Sequence, residues 1–431
     1  EREGQPVQRF VPPGEFTLAV EDLGAAPDAD AEARRIAAAE QARAFDLESD
    51  ALYRVRLLRL APRRHVLLVT QHHIISDGWS IGVLVREVGA LYTAFSRGEP
   101  SPLEPLPVQY VDVAAWQRGA AGAAAFAAQT EYWRRRLAGA PACVELPADR
   151  PRPKVRTGRG GRVRLDFPPD LGRAVAALGR ELGATSFMVL ETAFAGLLAR
   201  SAGLRGGDIL VGTPTANRGR PETEGLIGLF VNTLVLRHTF DAPSMTFRDA
   251  VGQVRTTVLE AFENADLPFE EVVRAVEAPR DTRHSPLFQV MFTFNAESGG
   301  ELDLPDLEVR ALGGAESGGD TGQFDTATFD TAKFDLTLVM GETAEGLVGD
   351  LEFSRDLFDA ATAAAFGRRF VTWLGHLVEQ PDRPLAECPV MDAAERRQVL
   401  GAFGDTSRDH STLPLIPRQI LDRAAAEPDA P

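Results

Sequence analysis

The chain has little cysteine, no long apolar run and no excess of positive charge. Its 431 residues include two cysteines and no CxxC pair, which excludes a disulfide framework and leads us to expect a reducing, cytoplasmic compartment. No apolar run is long enough to span a bilayer, and the first residues lack a signal-peptide core, so no membrane association is expected. A formal net charge of -16 argues against nucleic acid as a partner.

Length and patterning predict an α/β protein with two lobes. A chain of 431 residues exceeds what one compact core usually holds. Segments typical of strands and of helices alternate in both halves, which indicates α/β architecture. The stretch 147–161 is rich in proline, glycine and arginine, and we interpret it as the crossover between lobes. We therefore expect an N-terminal lobe over 1–150, a C-terminal lobe over 151–391, and a linker leading into another domain over 392–431.

Two adjacent histidines follow a predicted β-hairpin. Apolar and polar residues alternate over 52–60, and a second, more apolar strand is expected over 65–71. It runs into the segment QHHIISDGWS, residues 71–80. Since consecutive strand residues point to opposite faces, one of His72 and His73 should face a cleft and the other should pack. Imidazole, with an unperturbed pKa of about 6.5, is suited to accept a proton near neutral pH.

Several interpretations of this segment remain open from the residues alone. A histidine on a strand is more often a packed or solvated residue than a catalyst. Asp77 either orients an imidazole directly or holds the loop by pairing with an arginine, and Gly78 permits a backbone conformation that a side chain would forbid. Two histidines and an aspartate also suit a metal ion. The remaining histidines downstream are scattered without ligand-like spacing, so we expect no metal.

The segment HHIISDG, residues 72–78, resembles the HHxxxDG signature of the condensation-domain superfamily, which is related to chloramphenicol acetyltransferase. Further segments resemble motifs of the same family in the same order: QYVDVAAWQ at 109–117, IGLFVNTL at 227–234, DLPFE at 266–270, RDTRHSPLFQ at 280–289 and KFDL at 333–336. Val113 and Ala265 depart from the usual tyrosine and glutamine. Two early family motifs, SxAQ and RHExLRTxF, have no counterpart, so we expect an N-terminal lobe that lacks its first part.

The resemblance implies a condensation domain of a nonribosomal peptide synthetase elongation module. Such a domain forms an amide when an acceptor aminoacyl amine attacks a donor thioester. The implied fold is a V-shaped pseudo-dimer of two chloramphenicol-acetyltransferase-like lobes with a tunnel at their junction. The implied partners are donor and acceptor peptidyl carrier proteins and an adjoining adenylation domain. Phosphopantetheine would belong to the carriers, and the domain itself would bind no cofactor.

The resemblance also implies roles for individual residues. His73 would be catalytic and His72 structural, while Gly78 would shape the loop beside the thioester. Asp77 would be an anchor paired with an arginine, for which Arg218 is the first candidate and Arg280 the second. For the motif residues Trp116 and Asn232, packing and tunnel lining both remain open.

Two other functions compete with condensation. One is a free-standing acyltransferase that makes esters from CoA or carrier thioesters. The other is a catalytically inactive, condensation-like platform on which partner proteins dock.

Overall fold

The N-terminal lobe is built on a small three-stranded sheet. The computed structural model describes residues 7–10, 16–204, 207–240, 244–279, 281–295, 302, 304–310, 312, 331–343, 345–402 and 416–428. The sheet has the order β1-β2-β3, with β1 parallel and β3 antiparallel to the central strand. The elements up to residue 136 are β1 Ala19–Asp22, α1 Ala29–Ala42, β2 Tyr53–Ala61, β3 Arg64–Gln71, α2 Gly78–Ser96, α3 Tyr110–Arg118 and α4 Ala120–Arg136.

Apolar and polar side chains alternate along β2, so one face of the sheet is apolar and packs against α1. Leu58 and Leu60 are buried with Ala33 and Ile36 of the helix. Asp28 begins α1 by accepting a hydrogen bond from Ala31 N at 2.9 Å, which satisfies one of the free amides of the first turn. The predicted hairpin is therefore confirmed.

The C-terminal lobe is built on a mixed six-stranded sheet with the order β4-β9-β8-β7-β5-β6. Its hairpins are antiparallel, whereas β7 runs parallel to both β5 and β8. The elements of this lobe are β4 Gly160–Leu165, α5 Leu171–Leu182, α6 Ser186–Ser201, β5 Asp208–Thr215, α7 Pro221–Glu224, β6 Asn232–Thr239, α8 Phe247–Glu263, α9 Phe269–Ala275, β7 Val290–Asn295, β8 Leu336–Thr343, β9 Gly346–Ser354 and α10 Ala360–Glu379. The helices α11 Ala393–Arg397 and α12 Ile416–Ala426 follow. The predicted α/β fold is confirmed.

Helix α6 forms the centre of the larger lobe. It is apolar on nearly all sides, which is typical of a helix enclosed by other elements. Phe194 of α6 is fully buried, and its ring lies 6.0 Å from the ring of Phe292 on β7 and 6.0 Å from that of Phe370 on α10. This aromatic cluster joins one face of the sheet to the helices that cover it.

Helix α4 packs on the C-terminal lobe although it precedes the crossover. Phe126, Trp133 and Leu137 are buried in a cluster with residues of β6 and α8. The indole of Trp133 donates a hydrogen bond to Asn264 O at 2.9 Å. The chain therefore reaches the larger lobe before residue 150.

In the part of the chain that the structure describes, no single helix is long and apolar enough to cross a membrane. Helices α5 and α6 reach that length and composition only as a pair, with a bend of 103° between them.

The change Phe194→Ala tests the importance of the aromatic cluster. We expect it to lower the free energy of unfolding by about 3–5 kcal/mol, because it leaves a cavity among rings that cannot close around it. Urea unfolding measures this loss. Phe262→Ala is the matched control, since the Phe262 side chain on α8 is 45% exposed and its removal opens no core cavity. Equal losses for the two variants would contradict the prediction.

Candidate active site

The two histidines lie just beyond the end of β3 and not on it. The strand ends at Gln71, and residues His73–Ile75 form a short 3₁₀ helix. The expectation that the two side chains alternate across a sheet is therefore wrong, because the alternation of side chains ends with the strand. His72 begins the 3₁₀ helix, and its Nδ1 accepts a hydrogen bond from Ile74 N at 3.0 Å. Its ring also meets the ring of Phe45 edge to face, with the centroids 5.8 Å apart.

The orientation of His73 is set by a backbone carbonyl. Its Nδ1 lies 2.6 Å from Ser76 O. A carbonyl oxygen only accepts hydrogen bonds, so Nδ1 carries the proton in the neutral ring, and Nε2 keeps a free lone pair. The His73 side chain is exposed. The ring thus has a defined tautomer and presents a basic nitrogen to solvent or to a bound substrate.

Asp77 is buried, and both of its carboxylate oxygens are fully used. Oδ1 accepts hydrogen bonds from Ser80 N at 2.9 Å, from the Ser80 hydroxyl at 2.7 Å and from Arg218 Nη2 at 3.1 Å. Oδ2 accepts from the amides of Phe230 at 2.8 Å and Val231 at 3.1 Å. The Ser80 contacts cap α2, while the others come from the C-terminal lobe. Of the two interpretations of Asp77, the structure supports pairing with an arginine, and no histidine among the described residues hydrogen-bonds its carboxylate.

Competing effects act on the pKa of Asp77. Burial by itself raises the pKa, but the hydrogen bonds from Ser80 and Phe230 and the charge of Arg218 outweigh burial and hold the pKa below its usual value. Burial likewise lowers the pKa of Arg218, and the Asp77 charge opposes that shift. The side chains of Arg218 and Asp77 are 1% and 2% exposed, so this is a buried ion pair between the lobes.

Arg218 also donates hydrogen bonds to backbone carbonyls of its own lobe. Its Nη1 donates to Thr223 O at 2.6 Å and to Leu226 O at 2.7 Å. The guanidinium carbon lies 4.1 Å from the centre of the Phe230 ring, within cation–π distance. Arg280, the second candidate partner for Asp77, lies outside the described residues.

Residues 226–231 of the C-terminal lobe, which we call the seam loop, lie beside residues 71–80, which we call the histidine segment. Ser80 Oγ accepts a hydrogen bond from Gly228 N at 3.0 Å, and the hydroxyl of Tyr110 on α3 donates to Leu229 O at 3.1 Å. Burial first, and then the negative charge of Asp77, raise the pKa of Tyr110, so its hydroxyl keeps its proton. Side chains from the N-terminal lobe thus fix this segment of the other lobe.

The structure corrects the conformational reason proposed for Gly78. Gly78 begins α2, and it is absent from the glycines with a left-handed backbone. A Cβ placed on it would meet nothing within 4 Å. Neither the backbone angle nor crowding in this structure therefore requires glycine at position 78.

Trp116 and Asn232 make structural contacts. The Trp116 ring packs edge to face on Phe126 at 5.9 Å and lies 4.2 Å below the guanidinium of Arg220. The buried Asn232 amide donates to Ala265 O at 2.7 Å and to Leu267 O at 2.8 Å. Neither side chain has a described contact with His73.

The sequence interpretation missed Ser80, Tyr110 and Gly228. A usable signal existed for Ser80, because an aspartate directly before an apolar helix is a preferred N-cap and places its carboxylate over the amide three residues on. Tyr110 and Gly228 meet only through the tertiary fold, so no local pattern reveals their contact.

The described residues include no group of three or more His, Cys, Asp or Glu side chains placed to hold a metal ion. Both cysteines are free. Burial raises the pKa of Cys143 to about 11 and also raises the pKa of Cys388, so neither thiol ionises readily near neutral pH.

Comparison with known proteins identifies the family. A family model described as Condensation domain matches residues 1–400, and the chain belongs to this family. Condensation domains of nonribosomal peptide synthetases form amide bonds, which is an acyltransferase reaction. Its two-lobed α/β fold agrees with solved condensation-domain structures and is consistent with the V-shaped pseudo-dimer of the family.

Two curated relatives and one solved structure illustrate the similarity. Malpinin synthetase of Mortierella alpina is 38% identical over 427 residues, 99% of this chain and 5% of the relative. Phosphinothricin tripeptide synthetase PhsB of Streptomyces viridochromogenes is 40% identical over 439 residues, 99% of this chain and 35% of the relative. The chain thus spans only part of both. The X-domain from teicoplanin biosynthesis is 27% identical with a TM-score of 0.74, covering 88% of this chain and 82% of its own, and it has also been solved in complex with OxyB.

The change Asp77→Asn tests the ion pair between the lobes. At pH 7 we expect it to cost about 3–5 kcal/mol of stability, because Arg218 is left as a buried charge without its counter-charge. The folded pKa of Asp77 is depressed. Its contribution is therefore present above the unfolded pKa of about 3.9 and is lost as the pH falls through the lower folded pKa.

Urea unfolding of the two proteins between pH 7 and pH 3 should show their difference shrinking below about pH 4. Asp170→Asn is the control, since Asp170 pairs with Arg173 at the surface with its side chain 85% exposed. Its effect should stay within about 1 kcal/mol. A gap between wild type and Asp77→Asn that does not change with pH would refute the assignment.

Proposed function

We propose that this domain joins two carrier-bound acyl groups, with His73 as the residue that handles the proton. The amine of an acceptor aminoacyl group attacks the carbonyl carbon of a donor peptidyl or aminoacyl thioester. The carbon–nitrogen bond forms and the carbon–sulfur bond breaks. The observation that carries the proposal is the exposed imidazole of His73, whose hydrogen bond from Nδ1 to Ser76 O sets the tautomer of the neutral ring and leaves the lone pair on Nε2.

His73 takes the amine proton on Nε2 as the new bond forms, and it can return that proton to the departing thiolate. A general base of this kind contributes about 100- to 10,000-fold to the rate. Holding two tethered substrates in reacting geometry supplies much of the remainder. A thioester is already activated, so the reaction as proposed uses no cofactor or metal bound by this domain.

The neighbouring residues support His73 without touching the reacting atoms. His72 shapes the 3₁₀ helix through Ile74 N, and Gly78 leaves space for the thioester beside it. Asp77 and Arg218 anchor the segment between the lobes. Trp116 and Asn232 act through packing and loop fixation.

The partners we propose are a donor and an acceptor peptidyl carrier protein, each presenting its substrate on phosphopantetheine, and an adjoining adenylation domain. Residues 392–431 would form the linker and the start of that domain, after lobes over 1–150 and 151–391. The start of this linker is attached to the C-terminal lobe, because the carboxylate of Glu395 on α11 accepts a hydrogen bond from Arg369 Nη2 on α10 at 2.6 Å. Two free cysteines are in keeping with a reducing, cytoplasmic setting.

A docking platform is the second candidate function. The X-domain from teicoplanin biosynthesis has been solved with OxyB bound, and it shares the fold of this chain at a TM-score of 0.73 for that complex. A platform needs no basic nitrogen in a defined tautomer. The geometry of His73 therefore favours catalysis over docking alone.

Single-turnover amide formation tests the proposal. The chain in its native synthetase is given loaded donor and acceptor carrier proteins, and the product is measured by mass spectrometry. We expect His73→Ala and His73→Gln each to reduce the rate at least about tenfold, because neither side chain accepts the amine proton. His65→Ala is the matched control, since His65 is exposed at the far end of β3, and it should keep the wild-type rate.

Other outcomes separate the alternatives. An unchanged rate in both His73 variants would remove His73 from the mechanism. A wild-type protein that binds the carriers but makes no amide with several pairs would support the docking platform. Product formed only from hydroxyl acceptors would indicate an ester-forming acyltransferase.

A further inference from the structure

Among the described residues, the seam loop, residues 226–231, finds few hydrogen-bond partners in its own lobe. Its backbone makes one such bond to another backbone group there, from Leu226 N to Thr223 O at 3.2 Å. Arg218 adds a side-chain bond to Leu226 O. Since most buried backbone groups are paired in native proteins, the remaining groups of the loop need partners elsewhere.

Those partners are side chains of the N-terminal lobe. Asp77 accepts from the amides of Phe230 and Val231, and Ser80 accepts from Gly228 N. Tyr110 donates to Leu229 O at 3.1 Å. The conformation of the loop in one lobe is thus set by the other lobe. Asp77 and Ser80 belong to the histidine segment and its helix, but Tyr110 comes from a separate helix, α3.

Tyr110 also fits the loop by shape. Its ring lies edge to face on Phe230, with the centroids 5.1 Å apart. A Cβ on Gly228 would lie 2.3 Å from Tyr110 Cδ2, closer than real atoms approach. Only glycine at 228 lets the ring reach the position from which its hydroxyl meets Leu229 O.

We propose that Tyr110 is a positioning residue for the condensation reaction. By holding Leu229 and the ring of Phe230, it keeps the seam loop where the loop supports the Asp77 carboxylate, and so fixes the histidine segment relative to the C-terminal lobe. Tyr110 acts through the loop and has no described contact with His73. The catalytic part of this inference rests on the function proposed above, whereas the structural part stands on the contacts alone.

The change Tyr110→Phe removes the hydroxyl and keeps the ring. We expect amide hydrogen exchange in the seam loop to accelerate by about five- to a hundredfold, the range for losing one buried hydrogen bond, while exchange in β5 and β6 stays unchanged. In single-turnover amide formation at saturating carrier proteins, the rate constant should fall about fivefold or more, with the amplitude unchanged. A loss of folded protein would lower the amplitude instead.

Tyr132→Phe is the matched control. Tyr132 is a half-buried tyrosine on α4, and its enclosed hydroxyl has no hydrogen-bond partner among the described residues. Removing that hydroxyl breaks no hydrogen bond, so both exchange and rate should match the wild type.

Gly228→Ala provides a second, independent variant. The added methyl group collides with the Tyr110 ring, so the same increase in seam-loop exchange and the same fall in rate are expected with the hydroxyl still present. Gly219→Ala is its control, because a Cβ there meets nothing within 4 Å.

Each result decides the inference. Seam-loop exchange that is unchanged in Tyr110→Phe would show that Tyr110 does not hold the loop. Faster exchange with an unchanged rate constant would show that the loop does not position the reaction. If the wild-type protein makes no amide at all, the proposed function fails, and the exchange measurement still decides whether Tyr110 holds the loop.

Discussion

The buried carboxylate of Asp77 is shared by two lobes, and the geometry of the site follows from that sharing. A charge removed from water is costly unless every lone pair meets a donor. Here the donors come from both sides: the cap of α2 in one lobe, and Arg218 with the amides of Phe230 and Val231 in the other. The carboxylate is satisfied only when the lobes are docked. The ion pair thus couples the folding of the histidine segment to the docking of the two lobes.

The histidine segment is held in place by this anchor, by the 3₁₀ helix and by the start of α2. The 3₁₀ helix begins at His72 and returns the Ser76 carbonyl to His73 Nδ1. Asp77 then starts α2 directly. In the proposed reaction, an imidazole fixed between two such elements loses little conformational freedom when substrate binds, which is what catalysis by positioning requires. The imidazole of His73 is oriented by the neutral carbonyl of Ser76. The charge of Asp77 therefore anchors the segment without acting on the His73 ring.

Sequence patterns predicted what depends on local periodicity and on motif spacing. Alternation along β2 identified the hairpin. The resemblance to the HHxxxDG family implied a catalytic His73 and an arginine partner for Asp77, and the first candidate for that partner, Arg218, does pair with Asp77. The errors arose where local rules stop. Strand alternation was extended past Gln71 into a 3₁₀ helix, and Gly78 was given a conformational role where the structure shows empty space. The contacts of Ser80 and Tyr110 with residues 228 and 229 join positions 148 and 119 residues apart, which no local pattern can signal.

Helix α4 has a consequence for building hybrid synthetases. Its buried face, with Phe126 and Trp133, helps to complete a core to which β5, β6, α6, α8 and α9 of the larger lobe contribute, and Leu137 joins that core just after the helix ends. A chimera joined within residues 147–161, after this helix, would pack α4 against a core from another protein. The Trp133 indole would then depend on that core for the carbonyl acceptor that Asn264 provides here. A junction at Gly119, between α3 and α4, transfers the helix together with the core that it fills. The unit to exchange is therefore set by side-chain packing, because the chain already packs on the larger lobe before it enters the proline-rich stretch at 147–161.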